Sequence, residues 1–216
     1  IMFVEGGHGM GKTKFLHALI NSFRGSVIYV NAAKLKKNLD IEELLRKKNG
    51  LKGKLLGKKP KQMILLLDNV HELSTVNIER IKYYFDNSNL LSVVITGPSF
   101  KAAAFPKSFE NRIGKRIITL HKMDKKDALA MAYERLDEDP AEEDALLTPK
   151  HAEIIFEKSK GNPKQFLLNL HRVFEEMDFE EAQKVEAKHL KILDDKLDRE
   201  DETEYYISLG ADVVDS

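Results

Sequence analysis

The sequence predicts an α/β protein: a five-stranded parallel sheet with flanking helices, followed by a small all-α bundle. Three observations carry this expectation. Short apolar runs at 1–5, 26–30, 62–68, 91–95 and 116–120 alternate with stretches of helical spacing, the pattern of parallel strands joined by helical crossovers. The run 62–68 stays apolar from Met63 to Leu67 and ends in Asp68, which suits a central strand buried on both faces. After His121 the strand pattern stops and only helical segments follow.

Taken in order, residues 1–5 form a buried strand and 12–23 a helix, with Phe15, Leu16, Leu19 and Ile20 on one face. Residues 26–30 are rich in Val, Ile and Tyr, a strand composition. Asp40 caps a short helix over 41–48. The stretch 49–61 holds three Gly, one Pro and a run of Lys, so it is expected as an exposed loop. Residues 74–85 read as a helix with Val76, Ile78, Ile81 and Tyr84 or Phe85 facing inward. The strand 91–95 is closed by Thr96-Gly97-Pro98, a helical or irregular stretch runs to 111, and 116–120 supplies the fifth strand.

In the bundle, Asp124 caps 125–136, Thr148-Pro149 opens 150–160 with Gly161 closing it, and Asn162-Pro163 opens 164–177. A fourth helix is expected over 179–197. The domains are therefore 1–120, 121–198 and an acidic tail 199–216, within what 216 residues can hold.

Composition excludes several classes. With no cysteine there are no disulfides, and with no secretory leader and no apolar run near ~18 residues the expectation is a cytoplasmic protein without membrane spans. The net charge of zero conceals an asymmetry: basic residues dominate from Lys34 to Lys61, and acidic residues dominate from Glu175 to the end. The basic stretch can meet DNA, and the acidic tail a basic partner or the basic stretch itself; both also read as solvated surface. The chain begins at Ile1 already inside a strand, so residues that contact adenine are expected upstream.

The chemistry is concentrated in Gly6-Gly7-His8-Gly9-Met10-Gly11-Lys12-Thr13, which fits G-x-x-x-x-G-K-[ST] at every fixed position and sits between a strand and a helix. Its glycines are expected at positive φ, curling backbone N–H groups around a phosphate, and the following helix presents its positive end to the same anion. Lys12 would reach the β and γ phosphates, and Thr13 would hold Mg2+. His8 and Met10 are free positions of the loop, and Phe15 joins the candidate nucleotide contacts. Asp68, at the end of the third strand, is where an acid would hold Mg2+ through water, and Thr96, at the end of the next, is where a polar group can orient attacking water. The seven histidines show no metal-binding spacing, so no metal beyond Mg2+ is expected.

With Arg112 before the fifth strand and Gly161-Asn162-Pro163-Lys164 opening a bundle helix, the order of motifs resembles the AAA+ P-loop ATPases, nearest to the origin-recognition initiators and related archaeal and STAND-type ATPases. The resemblance covers residues 1–197. It implies ATP or ADP with Mg2+ between an α/β domain and a helical lid, with Thr96 as sensor 1 and Pro163 and Lys164 at sensor 2. It also implies Arg112 acting in trans on a neighbouring copy, with Arg116 competing for that role. Two departures stand out. Asn69 occupies the place of the glutamate that polarises water, so slow hydrolysis is expected, and Glu72 is either a substitute carboxylate or an ordinary helix-start acid. Lys164 replaces the usual arginine, keeping charge but losing the planar fork.

These features lead to a DNA-associated ATP-dependent switch, with a STAND-like signalling or scaffold ATPase as the alternative. A small-molecule kinase is a third class, disfavoured by the absence of an arginine-rich lid motif.

Overall fold

A computed structural model describes residues 1–31, 40–48, 63–70, 73–137, 139 and 145–194. Most of the basic stretch from Lys34 to Lys61, Glu72, and the acidic tail from residue 199 lie outside them. The chain divides into two compact units, Ile1–His121 and a second beginning at Lys122.

The first unit is built on β1 (Met2–Glu5), β2 (Ser26–Asn31), β3 (Met63–Asp68), β4 (Leu90–Gly97) and β5 (Ile117–Thr119), with α1 (Lys12–Ser22), α2 (Ile41–Lys48), α3 (Thr75–Asp86) and α4 (Lys107–Ile113). All neighbours are parallel, in the order β2-β3-β4-β1-β5. Every residue of β3 is buried, the signature of a strand covered on both faces.

Because side chains alternate across a strand, parity assigns each to a layer. Val4, Val27, Tyr29, Ile64, Leu66 and Val94 pack with Phe15, Leu16, Leu19 and Ile20 of α1. Phe3, Ile28, Val30, Leu65, Leu67, Val93 and Ile95 face the other way, onto Ile41 and Leu45 of α2, Ile78 and Ile81 of α3, and Phe109 and Ile113 of α4. Leu65, Leu66 and Leu67 are fully buried, each worth about 1.5–3 kcal/mol of transfer free energy. The same parity puts Asp68 and Thr96, two residues beyond Leu66 and Val94, on the α1 side.

Two expectations are corrected in this unit. Val76 is 59% exposed instead of inward-facing, because it lies two residues from Ile78, and residues at that spacing point to different sides of a helix. Asn77 takes the inward place, its backbone N–H capped by the Ser74 hydroxyl. Likewise β4 starts at Leu90, and Leu91 sits outward where the β3–β4 register shifts.

Gly97 closes β4 under a steric constraint. A Cβ there would stand 2.9 Å from the Phe3 ring and 3.0 Å from the Val70 carbonyl oxygen. Gly97→Ala is therefore expected to lower stability by about 1–3 kcal/mol, the usual range for overpacking a core, read as a drop in urea midpoint. An unchanged midpoint would show that Phe3 moves aside freely.

The second unit contains α5 (Lys125–Leu136), α6 (Pro149–Ser159), α7 (Pro163–Phe179) and a 3-10 turn (His189–Asp194). Asp124, Thr148 and Asn162 each accept a first-turn N–H, and Pro149 and Pro163 open their helices. Its core gathers Ala128, Ala132, Ile155, Phe166, Leu170, Val173 and Met177. The expected fourth helix over 179–197 does not form within the described residues. Glu181 takes φ 52 just past α7, and the Val185 amide donates to the Leu146 carbonyl at 2.8 Å. An amide committed to a distant carbonyl cannot join a helical ladder. Val185 and Leu190 are instead buried as separate anchors at non-helical spacing.

Candidate nucleotide site

The loop from Gly6 to Gly11 leaves the sheet at the end of β1 and enters α1 at Lys12. Only two of its four glycines use the left-handed region, Gly9 at φ 76 and Gly11 at φ 88, where a Cβ is penalised by ~1–2 kcal/mol. Gly6 serves a different need: a Cβ there would meet the Leu120 and Met10 Cβ atoms at 3.2 and 3.3 Å, so the loop turns directly against the exit of β5. Gly7 and His8 are exposed, and Met10 is half-buried. As at any helix start, the first-turn amides of α1 have no carbonyl four residues back and lie at its positive end.

Lys12 Nζ donates to the Gly6 and Gly7 carbonyls at 2.7 and 2.8 Å, folding the side chain along the loop. Burial pushes its pKa down, and the Asp68 charge opposes that shift. Thr13 Oγ1 donates to Asp68 Oδ2 at 2.7 Å, joining the two motifs across 55 residues of sequence.

Asp68 is the hub. It is fully buried and accepts from Thr13 and, at 3.0 Å, from the Tyr29 hydroxyl on Oδ2. On Oδ1 it accepts from Thr96 Oγ1 at 2.6 Å and from the Asn69 backbone N–H at 3.0 Å. The Asn69 N–H is shared with Thr96 Oγ1 at 3.1 Å. The Thr96 proton is thus committed to Asp68, and one oxygen lone pair to Asn69. Burial and the adjacent Asp68 charge push the Tyr29 phenol pKa well above its ordinary value.

Asn69 stands at φ 52, a conformation Asn tolerates better than most residues. Its side-chain amide donates to Asn31 Oδ1 at 3.4 Å; Asn31 pairs with Asp68 in the β2–β3 register. Glu5, just before the loop, accepts from the Phe100 N–H and the Thr119 hydroxyl, both at 2.8 Å. The Phe100 bond first, then the Thr119 bond, holds its carboxyl below the ordinary glutamate range.

The structure brings Lys12, Thr13, Asp68, Asn69 and Thr96 together, and it adds Tyr29 and Asn31, which sequence reading missed. Phe15 packs into the layer beneath α1. Arg112 is elsewhere. It lies in the last turn of α4, pairs through two guanidinium nitrogens with both oxygens of Asp86, and donates to the Ser108 carbonyl at 3.0 Å. Asp86 ends the helix leading into β4, and Arg116 donates to the Ile1 carbonyl at 2.9 Å. Both arginines therefore flank strand starts, whereas the phosphate loop flanks strand ends. Arg112 cannot serve its own loop. Pro163 and Lys164 occupy the first turn of α7, half-buried.

A glycine loop feeding a helix start, a lysine along it, and a hydroxyl joined to a buried carboxylate form the arrangement of a P-loop, which is suited to holding phosphate. The oxygen donors of Thr13 and Asp68 also fit magnesium, a hard cation that takes few protein ligands. Among the described residues no group of three or more His, Cys, Asp or Glu could hold another metal, and no helix is long and apolar enough to cross a membrane.

A family model described as AAA domain matches residues 1–121, and the chain belongs to that family of AAA+ ATPases. The fold is shared with the Thermotoga maritima RuvB Holliday junction branch migration motor (16% identity, TM-score 0.68, 96% of this chain and 68% of that one). It is also shared with Cdc6p from Pyrobaculum aerophilum (15%, TM-score 0.63, 85% and 57%) and Drosophila ORC bound to DNA (16%, TM-score 0.61, 89% and 54%). A further T. maritima RuvB structure is covered over 60% of its length, so this chain spans only part of these proteins. A search of curated proteins gives no match.

Proposed function

We propose that this chain is an ATP-dependent AAA+ switch acting on DNA in the cytoplasm, with slow hydrolysis. The observation that carries the reading is the Thr13–Asp68–Thr96 cluster at the mouth of the phosphate loop, with Asn69 in place of a proton-accepting acid. Thr13 and Asp68 would hold magnesium, whose charge screens the β and γ phosphate oxygens. The α1 amides and Lys12 bind the phosphates. Asn69 cannot take a proton, and its N–H and amide are spent on Asp68, Thr96 and Asn31. Among the described residues water is then left without a strong base, which lowers turnover more than binding.

In this reading the second unit works as a lid, delivering Lys164 and Pro163 to the nucleotide, and Arg112 leaves Asp86 to meet the phosphate of a neighbouring copy. RuvB as a Holliday junction motor and ORC bound to DNA support a DNA role, as does the basic composition from Lys34 to Lys61. The acidic tail is the candidate docking segment for a protein partner. A STAND-like switch controlled by occupancy alone is the second reading, favoured by the structural use of Asn69.

Single-turnover hydrolysis of Mg-ATP with and without duplex DNA, with Lys12→Ala as the blank, tests the proposal. Turnover that is slow alone and rises with DNA is expected. Tight binding without turnover under either condition would transfer the protein to the second reading, and failure to bind nucleotide would refute both.

A further inference from the structure

Tyr29 enters the site from β2, a strand that carries none of the phosphate-binding motifs. A carboxylate offers about four lone-pair positions. At Asp68 these are met by Thr13, Thr96, the Asn69 N–H and the Tyr29 hydroxyl. In the fourth of these bonds the phenol is the donor. Three of the four donors lie in or beside the phosphate loop and the strand ends β3 and β4; the fourth comes from the neighbouring strand, whose register sets Tyr29 beside Leu66 and Asn31 beside Asp68.

The tyrosine is held from two sides. Its ring meets the His17 ring of α1 edge-on at 5.5 Å between centroids, and its hydroxyl is also hydrogen-bonded by the Asn31 side chain. Asn31 in turn accepts from the Asn69 amide at 3.4 Å. A closed path thus runs Asp68, Tyr29, Asn31, Asn69 and back to Asp68, tying the ends of β2 and β3 around the carboxylate.

We propose that Tyr29 is a positioning residue of the nucleotide site: its hydroxyl keeps Asp68 Oδ2 turned toward Thr13, so the nucleotide affinity gained from magnesium depends on it. This rests on the nucleotide-switch reading above. The terminal torsion of an aspartate is soft. With the Tyr29 hydroxyl removed, Oδ1 stays on Thr96 and the Asn69 N–H while Oδ2 keeps only Thr13, so the carboxylate can turn about its fixed edge and the pair that must receive the cation is less preorganised. Phosphate contacts made by Lys12 and the α1 amides do not pass through Asp68, so binding without magnesium is left alone.

The experiment titrates a fluorescent ADP into wild type, Tyr29→Phe and Asn31→Ser, each with excess magnesium and with EDTA. Tyr29→Phe keeps the ring against His17 and deletes one hydroxyl. It is expected to lose about tenfold in affinity with magnesium, the equivalent of one hydrogen bond to a charged group, and less than about twofold in EDTA. Asn31→Ser leaves Tyr29 itself intact and is expected to show a smaller loss, again confined to magnesium; it carries the test if Tyr29→Phe does not fold. Equal losses in both buffers, or none in either, overturn the inference while leaving the nucleotide reading intact. Wild type that binds no nucleotide in either buffer overturns that reading, and this inference with it.

Discussion

Lys12→Ala is expected to lower affinity for Mg-ATP by about 100-fold or more while leaving the fold nearly unchanged. A hydrogen bond to a charged group contributes about 1.5–3 kcal/mol, and a lysine reaching two phosphates makes at least two. Their loss corresponds to two or more decades in Kd. The stability effect is small. Among the described residues Nζ bonds the carbonyls of Gly6 and Gly7, one of them on an exposed residue, and carbonyls at such a loop recover water partners. Net hydrogen bonds of this kind contribute about 1 kcal/mol. Calorimetric titration for affinity and urea unfolding for stability separate the two effects. Affinity within tenfold of wild type would remove the phosphate loop from the nucleotide site.

How much of this was legible in the sequence follows from which forces are local. A loop that must wrap an anion constrains its residues directly, so Gly6 to Thr13 announce their chemistry. A strand buried on both faces must be continuously apolar, so β3 and its terminal Asp68 could be read off. Cap residues act within three positions of themselves, which is why Asp124, Thr148 and Asn162 marked helix starts that the structure reproduces.

What escaped depends on pairings across long separations. Nothing near Tyr29 says that β2 lies beside β3, or that the register brings Tyr29 and Asn31 to Asp68 across 39 and 37 residues. The only available signal was parity: Val27, Tyr29 and Asn31 share a face, and a tyrosine followed two residues later by an asparagine at a strand end is a polar exit from an apolar run. Arg112 was recognised by its place before β5, yet its bidentate hold on Asp86 joins the ends of two helices that sequence spacing does not relate. The segment after α7 departs from the expected helix because the Val185 amide answers to the Leu146 carbonyl, a pairing that nothing near Val185 announces.

Asp68→Ala is expected to cost both stability and the magnesium effect, unlike Lys12→Ala. The carboxylate is fully buried, and its removal leaves the hydroxyls of Thr13, Tyr29 and Thr96 without their acceptor and the Asn69 N–H with Thr96 Oγ1 alone. An orphaned buried donor costs about 1–3 kcal/mol. Hydroxyls rotate and water can enter the space left behind, so the sum falls to about 3–5 kcal/mol, a large part of the ~5–15 kcal/mol that holds a domain together. Asp68→Asn is the sharper control. It preserves volume and one acceptor, but its NH2 faces two donors where an oxygen stood, so it is expected to lie between Ala and wild type in urea midpoint. In both variants magnesium should no longer raise nucleotide affinity, because the hydroxyl of Thr13 loses the partner that aims it. If Asp68→Ala unfolds within about 1 kcal/mol of wild type and keeps its magnesium dependence, the four donors are satisfied elsewhere, and Asp68 is not the centre on which β2, β3, β4 and α1 converge.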